Sequence, residues 1–254
     1  MEKHLIITGS SSGIGSALKE LYLSEGWKVT GIDKSVGKQG SKKNLTEIEL
    51  DLTSNQDISK LEEMIHSGAI ERADALVLNA GISCAGPFID SNMEDQLKVI
   101  DLNLTSTIAL SSLALRSSLL KSGGTIAFVS SMSRFLSYPG ASVYAATKDG
   151  VTSWANSVRK SFKESGITVL TIFPGPTRTP HAERYSPRNS KPDSRMEPEK
   201  LASMIKKSVA NKRSFLIPGM GNKLVSFLGV WLPPLGEQLM KKLVFQPLKE
   251  QQRA

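Results

Sequence analysis

The chain has 254 residues, a net charge of +8, 39% apolar residues and 22% charged residues. This length fits one α/β domain better than two, and the apolar fraction excludes wholesale disorder. The single cysteine, Cys84, excludes an intrachain disulfide and a cysteine-rich zinc site, and the three histidines lie too far apart in sequence for a metal-ligand spacing, so we expect no bound metal.

The positive charge is concentrated in the last third of the chain. Residues 1–177 contain 17 Lys or Arg and 18 Asp or Glu, whereas residues 178–254 contain 15 and 6. Such a region can face a membrane surface, an acidic carrier or an anionic substrate, although an ordinary solvated surface has the same composition. We expect no nucleic-acid partner, because the basic residues are not interleaved with aromatic side chains. The charged opening segment is not typical of a signal peptide, which predicts a cytoplasmic protein.

Short β-branched runs alternate with longer amphipathic stretches along the chain. The predicted strands are 3–8, 27–32, 45–50, 74–79, 124–130, 167–173 and 214–217. The predicted helices are 13–25, 57–67, 93–120, 143–163 and 198–211. This alternation predicts a single domain, residues 1–254, built on one doubly wound parallel sheet of about seven strands with helices on both faces. Between Asp33 and Asn44 the composition predicts a loop in place of the usual crossover helix.

Two later segments lack a regular pattern. Residues 177–197 are rich in Pro, Arg and Ser, and we expect them to form a mobile lid over a substrate. Residues 221–254 form an apolar and basic carboxy-terminal segment. Its apolar run, residues 224–236, is interrupted by Pro233-Pro234 and is too short to span a bilayer. This run can line an apolar pocket, rest on a membrane surface, or pack against its own domain or a neighbouring subunit.

A glycine-rich turn follows the first predicted strand and opens the first predicted helix. Glycines allow a sharp turn and a close approach to phosphate, and a helix amino terminus supplies N–H donors. The position of the turn therefore predicts a phosphate-binding loop, although its glycine spacing differs from the G-x-G-x-x-G pattern. The expected cofactor-binding residues are Gly9, Ser11, Ser12, Gly13, Ile14 and Gly15.

Asp33 ends the second predicted strand. A carboxylate at this position accepts hydrogen bonds from the hydroxyls of an adenosine ribose and repels a 2′-phosphate, which favours NAD(H) over NADP(H). The neighbouring Lys34 weakens this preference, so NADP(H) stays possible.

Tyr144 and Lys148 are four residues apart in a predicted helix, which places them on one helix face. A free phenol titrates near pH 10, and a nearby cation lowers its pKa toward the range needed for acid–base chemistry. Ser131 follows the fifth predicted strand, where ligands bind in parallel sheets. The thirteen-residue spacing to Tyr144 favours Ser131 over Ser130 and Ser133.

Together these motifs resemble the short-chain dehydrogenase/reductase family over about the first 180 residues. The resemblance implies a single Rossmann-type domain that carries its own substrate site. It also implies that Tyr144 exchanges a proton with the reacting oxygen, Lys148 lowers the pKa of Tyr144 and holds the nicotinamide ribose, Ser131 orients the substrate and Asn103 holds a water in a proton relay. Dimers and tetramers are common in the family, and we expect a homodimer or homotetramer.

The same resemblance implies further cofactor contacts. Asp51 and Leu52 are expected near the adenine, whereas Asn79, Ala80 and Gly81 support the cofactor and the sheet. Pro174, Gly175, Thr177 and Thr179 are expected to bind the carboxamide. Two departures from the family pattern are Thr177, where a branched apolar residue is common, and the shortened connection after the second strand. Cys84 is expected to be a small buried residue rather than a nucleophile.

Three functions remain open from the sequence. The first is an NAD(H)-dependent oxidoreductase that interconverts a secondary alcohol and a ketone, with an apolar or acyl substrate suggested by the carboxy-terminal segment. The second is an NADPH-dependent 3-oxoacyl reductase. The third is a non-catalytic cofactor-sensing or scaffold protein, against which Ser131, Tyr144 and Lys148 argue.

Overall fold

The strands of the protein form one parallel sheet, as the sequence predicts. The computed structural model describes residues 2–37, 42–136, 138–187, 190 and 192–253, with backbone only for residues 251–253. Over these ranges the strands are β1 (His4–Thr8), β2 (Lys28–Asp33), β3 (Leu45–Glu49), β4 (Ala73–Leu78), β5 (Leu120–Val129), β6 (Thr168–Ile172) and β7 (Phe215–Leu216). Their spatial order is β3-β2-β1-β4-β5-β6-β7. The order reverses between β1 and β4, which opens a crevice at the carboxyl ends of these strands.

Helices connect the strands and extend beyond the last one. In the described part of the chain they are α1 (Gly13–Ser24), α2 (Asn55–His66), α3 (Met93–Ile100), α4 (Ser106–Arg116), α5 (Ser142–Glu164), α6 (Pro180–Tyr185), α7 (Pro198–Ala210), α8 (Met220–Trp231), α9 (Pro233–Met240) and α10 (Gln246–Arg253). None of the helices in these ranges combines the length and the apolar content that crossing a bilayer requires.

The sheet buries a separate apolar cluster on each face. Successive strand side chains point to opposite faces, so Ile6 joins one cluster while Leu5 and Ile7 join the other. Helices α2, α4 and α5 cover the first face, and α1 and α7 cover the second. Burial of these apolar faces fixes the sheet and thereby the positions of the loops at its carboxyl edge.

The predicted helix 93–120 is wrong in its continuity and in its end. The structure divides it into α3, a π-helical turn (Asp101–Thr105) and α4, which ends at Arg116. Ser118 then adopts a left-handed conformation (φ 51°), which ends the helical path, and the chain enters β5 at Leu120, four residues before the predicted start. A left-handed Gly123 (φ 79°) lies inside β5, where the register with β4 shifts. This irregularity hid the beginning of the strand from its sequence pattern.

The predicted loop between β2 and β3 is free of helix over its described residues; positions 38–41 lie outside them. The segment predicted as a lid without regular structure contains α6 and a short 3₁₀ turn (Pro192–Ser194). Thr179 caps α6 by accepting a hydrogen bond from the Ala182 N–H at 3.1 Å, and Pro180 begins the helix. This Thr-Pro pair is a local start signal that the hydrophobic period of so short a helix does not show.

The carboxy-terminal segment folds into α8, α9 and α10 and lies over the chain between β5 and α5. A Cβ added to Gly229 would overlap the carbonyl oxygen of Phe135, and one added to Gly140 would lie 2.6 Å from Leu248 Cδ1. Leu248 is buried. The last helices therefore form a wall beside the loop that follows Ser131.

Candidate active site

The glycine turn is closed tightly around the end of β1. Gly9 (φ 67°) and Gly13 (φ 53°) adopt left-handed conformations that favour glycine. A Cβ added to Gly15 would overlap the carbonyl oxygen of Gly9. The glycines therefore allow α1 to begin directly against the strand.

The amino end of α1 is open to an anion. Ser12 precedes the helix in an extended conformation and makes no side-chain cap, and the first turn carries no acidic residue. Ser11 and Ser12 are exposed, and Ile14 packs against the core beneath them. Uncapped N–H groups and a positive helix dipole suit a phosphate. The turn thus fits the pyrophosphate of a dinucleotide.

Asp33 lies at the rim of this turn. One of its carboxylate oxygens accepts a hydrogen bond from the Ser11 N–H at 2.9 Å, and the other accepts one from the Ser35 N–H at 3.3 Å. These two contacts hold the Asp33 carboxylate beside the glycine turn. From there it could accept hydrogen bonds from a ribose attached to phosphates bound at the turn.

Lys34 is paired with Asp51 across the ends of β2 and β3. The Lys34 Nζ lies 2.6 Å from Asp51 Oδ2, and Thr53 donates two further hydrogen bonds to Asp51 Oδ1. The hydrogen bond from Lys34, followed by those from Thr53, lowers the pKa of Asp51 to about 2. Leu52 is buried beside them.

The Asn79-Ala80-Gly81 turn joins β4 to β1. The Asn79 and Ala80 N–H groups both donate to Thr8 Oγ1, at 3.0 and 3.1 Å, and the Asn79 amide donates to the Thr8 and Gly9 carbonyls. A Cβ added to Gly81 would lie 3.0 Å from Asn103 Oδ1 and 3.3 Å from Lys148 Nζ. The Asn79-Ala80-Gly81 turn therefore lies between the glycine turn and the side chains of Asn103 and Lys148.

Asn103 is fully buried in the π-helical turn. Its amide oxygen accepts from the Ile82 N–H at 2.9 Å, and its amide nitrogen donates to the Ile82 carbonyl at 2.9 Å and to Thr147 Oγ1 at 3.0 Å. The wide turn directs this side chain at the loop after β4 instead of along the helix. Thr147, which the sequence analysis did not single out, fixes its orientation from α5.

The three neighbouring serines after β5 have different surroundings. Ser130 is buried and donates to the Lys148 carbonyl at 2.9 Å, so it has a structural role. The Ser133 hydroxyl is buried away from any acceptor among the described residues. Ser131 Oγ accepts a hydrogen bond from the Ser133 N–H at 3.1 Å, and the Ser131 side chain lies close enough to the Tyr144 phenol to lower its pKa. The structure thus brings Ser131, rather than its neighbours, to the phenol.

Tyr144 and Lys148 lie in the first two turns of α5. The Lys148 Nζ lies 5.8 Å from the centre of the Tyr144 ring and donates to the Val129 carbonyl at 2.9 Å. Burial lowers the pKa of Lys148 to about 8. Burial also raises the pKa of Tyr144 to about 12, against the opposing effect of the Ser131 hydrogen bond. This direction is opposite to the expected lowering, because burial of the phenol has the largest effect on its pKa.

The expected carboxamide-binding residues follow β6. The Pro174 carbonyl accepts from the Met132 N–H at 3.0 Å, which joins this segment to the loop after β5. Thr177 Oγ1 donates to the Gly175 carbonyl at 3.0 Å, and Thr179 caps α6. A Cβ added to Gly175 would overlap the amide of Asn222 in α8, so the carboxy-terminal wall begins here.

Four further residues at this edge were missed from the sequence. The His181 ring centroid lies 5.9 Å from that of Tyr144, Tyr138 raises the pKa of Tyr144, Arg195 lies in the segment predicted as a lid, and Asn222 abuts Gly175. No local pattern identifies them, because the fold alone brings them to the cleft. All the sequence-predicted residues, by contrast, lie at the carboxyl ends of β1, β2, β3, β4, β5 and β6 or in the helices facing those ends.

Comparison with known proteins gives consistent matches. The family profile described as short chain dehydrogenase matches residues 3–190. An NADPH-dependent 1-acyldihydroxyacetone phosphate reductase from Schizosaccharomyces pombe is 29% identical over 70% of this chain and 61% of its own length. The short-chain dehydrogenase cctT from Talaromyces islandicus is 30% identical over 70% of this chain and 64% of its own length. The chain thus matches less than two thirds of either relative.

A solved structure extends the likeness to three dimensions. A short chain dehydrogenase family protein from Francisella tularensis superposes with a TM-score of 0.75 at 26% identity, covering 85% of this chain and 96% of its own. The order and direction of the strands are therefore those of a known architecture.

Proposed function

Because the chain belongs to the short-chain dehydrogenase family, we propose that it is an oxidoreductase that interconverts a secondary alcohol and a ketone with a nicotinamide cofactor. The observation that carries the proposal is the convergence of Ser131, Tyr144 and Lys148 at the carboxyl edge of the sheet, beside the glycine turn. When bound, the cofactor supplies or accepts the hydride at the reacting carbon.

The protein residues handle the proton and the orientation of the substrate. In reduction, the Tyr144 hydroxyl gives its proton to the carbonyl oxygen; in oxidation, the phenolate takes the proton of the alcohol. Ser131 donates a hydrogen bond to the same oxygen and holds it near the phenol. With the cofactor bound, Lys148 Nζ would hold the nicotinamide ribose and stabilise the phenolate, and Asn103 would position a water that returns a proton to this group.

The cofactor residues support NAD(H) as the favoured form. The glycine turn would hold the pyrophosphate, Asp33 the ribose hydroxyls, and Asp51 and Leu52 the adenine, whereas residues 174–179 would hold the carboxamide. The ion pair between Lys34 and Asp51, at 2.6 Å, also favours NAD(H). Asp51 already engages the ammonium group that a 2′-phosphate would need as its partner. The S. pombe relative is named as NADPH-dependent, which keeps an NADPH-dependent 3-oxoacyl reductase as the second candidate.

We propose a lipophilic or acyl substrate. The wall formed by α8–α10 adjoins the loop after Ser131, and the S. pombe relative is named for an acyl-bearing substrate. Apolar walls favour apolar chains by burial, at about 25 cal/mol per Å².

The test is a screen of NADH and NADPH oxidation against ketones of graded chain length. We expect activity that rises with chain length and is higher with NADH. Tyr144→Phe should reduce turnover by about 10²–10⁴-fold while cofactor affinity changes only a few-fold. Unchanged turnover in this variant would contradict the assigned acid, and cofactor binding without turnover in the wild type would favour the non-catalytic sensor.

We also propose that the carboxy-terminal wall contacts a membrane surface. Its exposed apolar side chains include Leu224, Phe227, Trp231 and Leu235, and Lys241 and Lys242 follow the end of α9. Trp231, 70% exposed, is the most exposed of the three tryptophans, so its fluorescence should shift to shorter wavelength on anionic vesicles. Deletion from Gly221 onward should abolish vesicle binding; equal binding would overturn the proposal.

The assembly and the compartment are proposals as well. A homodimer or homotetramer through the helices α3–α5 is expected from the family, and sedimentation velocity tests it directly. A cytoplasmic location is tested by cell fractionation.

A further inference from the structure

Arg195 lies in the lid, beside the end of β6. The lid folds back on itself: the Arg178 N–H donates to the Met196 carbonyl and the Met196 N–H donates to the Pro176 carbonyl, both at 2.9 Å. This return brings Arg195 from a position nineteen residues beyond Pro176 to the same edge of the sheet as the proton-transfer residues. Ligands of parallel sheets bind at this edge.

The guanidinium of Arg195 is buried with part of its hydrogen-bonding capacity unused. The residue is 8% exposed, and its Nη2 donates to Ser190 Oγ at 2.7 Å. Its Nη1 is buried and has no acceptor among the described residues, nor does any carboxylate in those ranges form an ion pair with it. Arg178, in the same lid, pairs with both Asp193 and Glu197.

A buried and unpaired guanidinium is costly, because the protein must remove it from water without returning a negative charge. The same segment does contain carboxylates, since Asp193 and Glu197 both pair with Arg178. Neither of them forms an ion pair with Arg195. A ligand that brings its own oxyanion would satisfy this group.

The charge of Arg195 also acts on a residue that lies next to Tyr144 in the electrostatics of this edge. Burial raises the pKa of Tyr138, and the charge of Arg195 acts in the opposite direction. Tyr138 in turn raises the pKa of Tyr144. Arg195 thus influences the pKa of Tyr138, and Tyr138 influences the pKa of Tyr144.

We propose that Arg195 is a specificity-determining residue whose Nη1 binds an oxyanion of the substrate, a carboxylate or a phosphate, on the Tyr138 side of Tyr144. The inference rests on the proposed function and adds to it that the carbonyl compound is an acid. An apolar chain held by the carboxy-terminal wall and an anionic group held by Arg195 together describe an anionic amphiphile.

The binding test uses unreactive acids, so that it does not depend on turnover. Decanoate, decyl phosphate and neutral methyl decanoate are titrated calorimetrically into the protein with NADH present. We expect at least one acid to bind about 10–100-fold more tightly than the ester, and this preference to be lost in Arg195→Gln. The stronger acid identifies the group as carboxylate or phosphate.

Two variants serve as controls. Lys200→Gln removes an equal charge from an exposed position five residues away and should keep the preference. Arg195→Lys keeps the charge and should retain part of the preference for the acids over the ester. This variant tests the inference if Arg195→Gln does not fold. Equal binding of ester and acids to the wild type, or an unchanged preference in Arg195→Gln, would overturn the inference.

The same measurements distinguish a failure of the proposed reaction from a failure of the oxyanion site. Tyr144→Phe should lose turnover and still prefer the acid. A wild-type protein that turns over no ketone but binds decanoate through Arg195 would refute the proposed reaction and leave the oxyanion site standing.

Discussion

The imidazole of His181 lies against the phenol of Tyr144, with ring centroids 5.9 Å apart. The centroid of the Tyr185 ring lies 4.9 Å from that of the same imidazole. Through these tilted ring contacts, α6 lies beside the phenol proposed to transfer the proton. Burial and the charge of Lys148 lower the pKa of His181 to about 4, so the imidazole over the phenol is neutral at physiological pH.

This neutral histidine should make the fold sensitive to acid. The unfolded chain takes up a proton at His181 near pH 6.5, whereas the folded chain does so near pH 4. The free energy of unfolding should therefore fall as the pH falls through this window. We expect His181→Phe, which keeps a ring on Tyr144, to show a shallower fall in denaturant unfolding between pH 7 and about 4. An equal slope in both proteins would show that His181 does not titrate differently on folding.

Titration of Lys148 should make the affinity for NADH fall at alkaline pH. Its pKa of about 8 means that the free protein loses the ammonium as the pH rises through this value. Because the charged form is the one proposed to hold the ribose, NADH affinity should decline above about pH 8. Fluorescence titrations with Lys148→Met should give weaker and nearly pH-independent binding. A decline of the same shape in this variant would assign the alkaline fall in affinity to another group.

We expect a substitution of Asp33 to change the choice between NADH and NADPH and a substitution of Lys34 to leave it unchanged. Asp33→Ala removes the carboxylate that repels a 2′-phosphate and should relax discrimination against NADPH by about ten-fold. Lys34→Ala removes the cation paired with Asp51 and should leave the NADH preference intact. Both are measured as kcat/KM ratios for NADH and NADPH. If the wild type prefers NADPH and Lys34→Ala reverses this, Lys34 rather than Asp33 determines the choice.

Alanine substitutions at two glycines of α8 distinguish the effect of packing on stability from the effect of helix propensity. Gly229 has no room for a side chain against Phe135, so Gly229→Ala should detach the wall and lower the melting temperature. Gly221 has open space around it, so Gly221→Ala should stabilise the helix by about 0.5–1 kcal/mol. Thermal unfolding and proteolysis of α8–α10 compare the two variants. Equal effects would mean that the wall does not dock on the loop after β5.

The parallel sheet and the residues at its carboxyl edge were predictable because both depend on local order in the chain. The glycine turn, Asp33 and Ser131 each follow a strand directly, and strand ends meet at one edge whatever the details of packing. Arg195 and Tyr138 were not predictable in this way, because 57 residues separate them and only the return of the lid unites them. The direction of the Tyr144 pKa was missed for a similar reason. Spacing places Lys148 on the same helix face but does not say where its ammonium points.

The first turn of the lid rests on the glycine turn, since a Cβ added to Gly13 would lie 3.0 Å from Thr179 Cγ2. Position 13 is thus constrained twice, by its backbone and by a neighbour 166 residues later in the chain. Grafting a lid from another enzyme onto this scaffold would accordingly require the graft to keep a small contact surface at position 179. Any redesign of the segment around Thr179 therefore has to be planned together with the glycine turn.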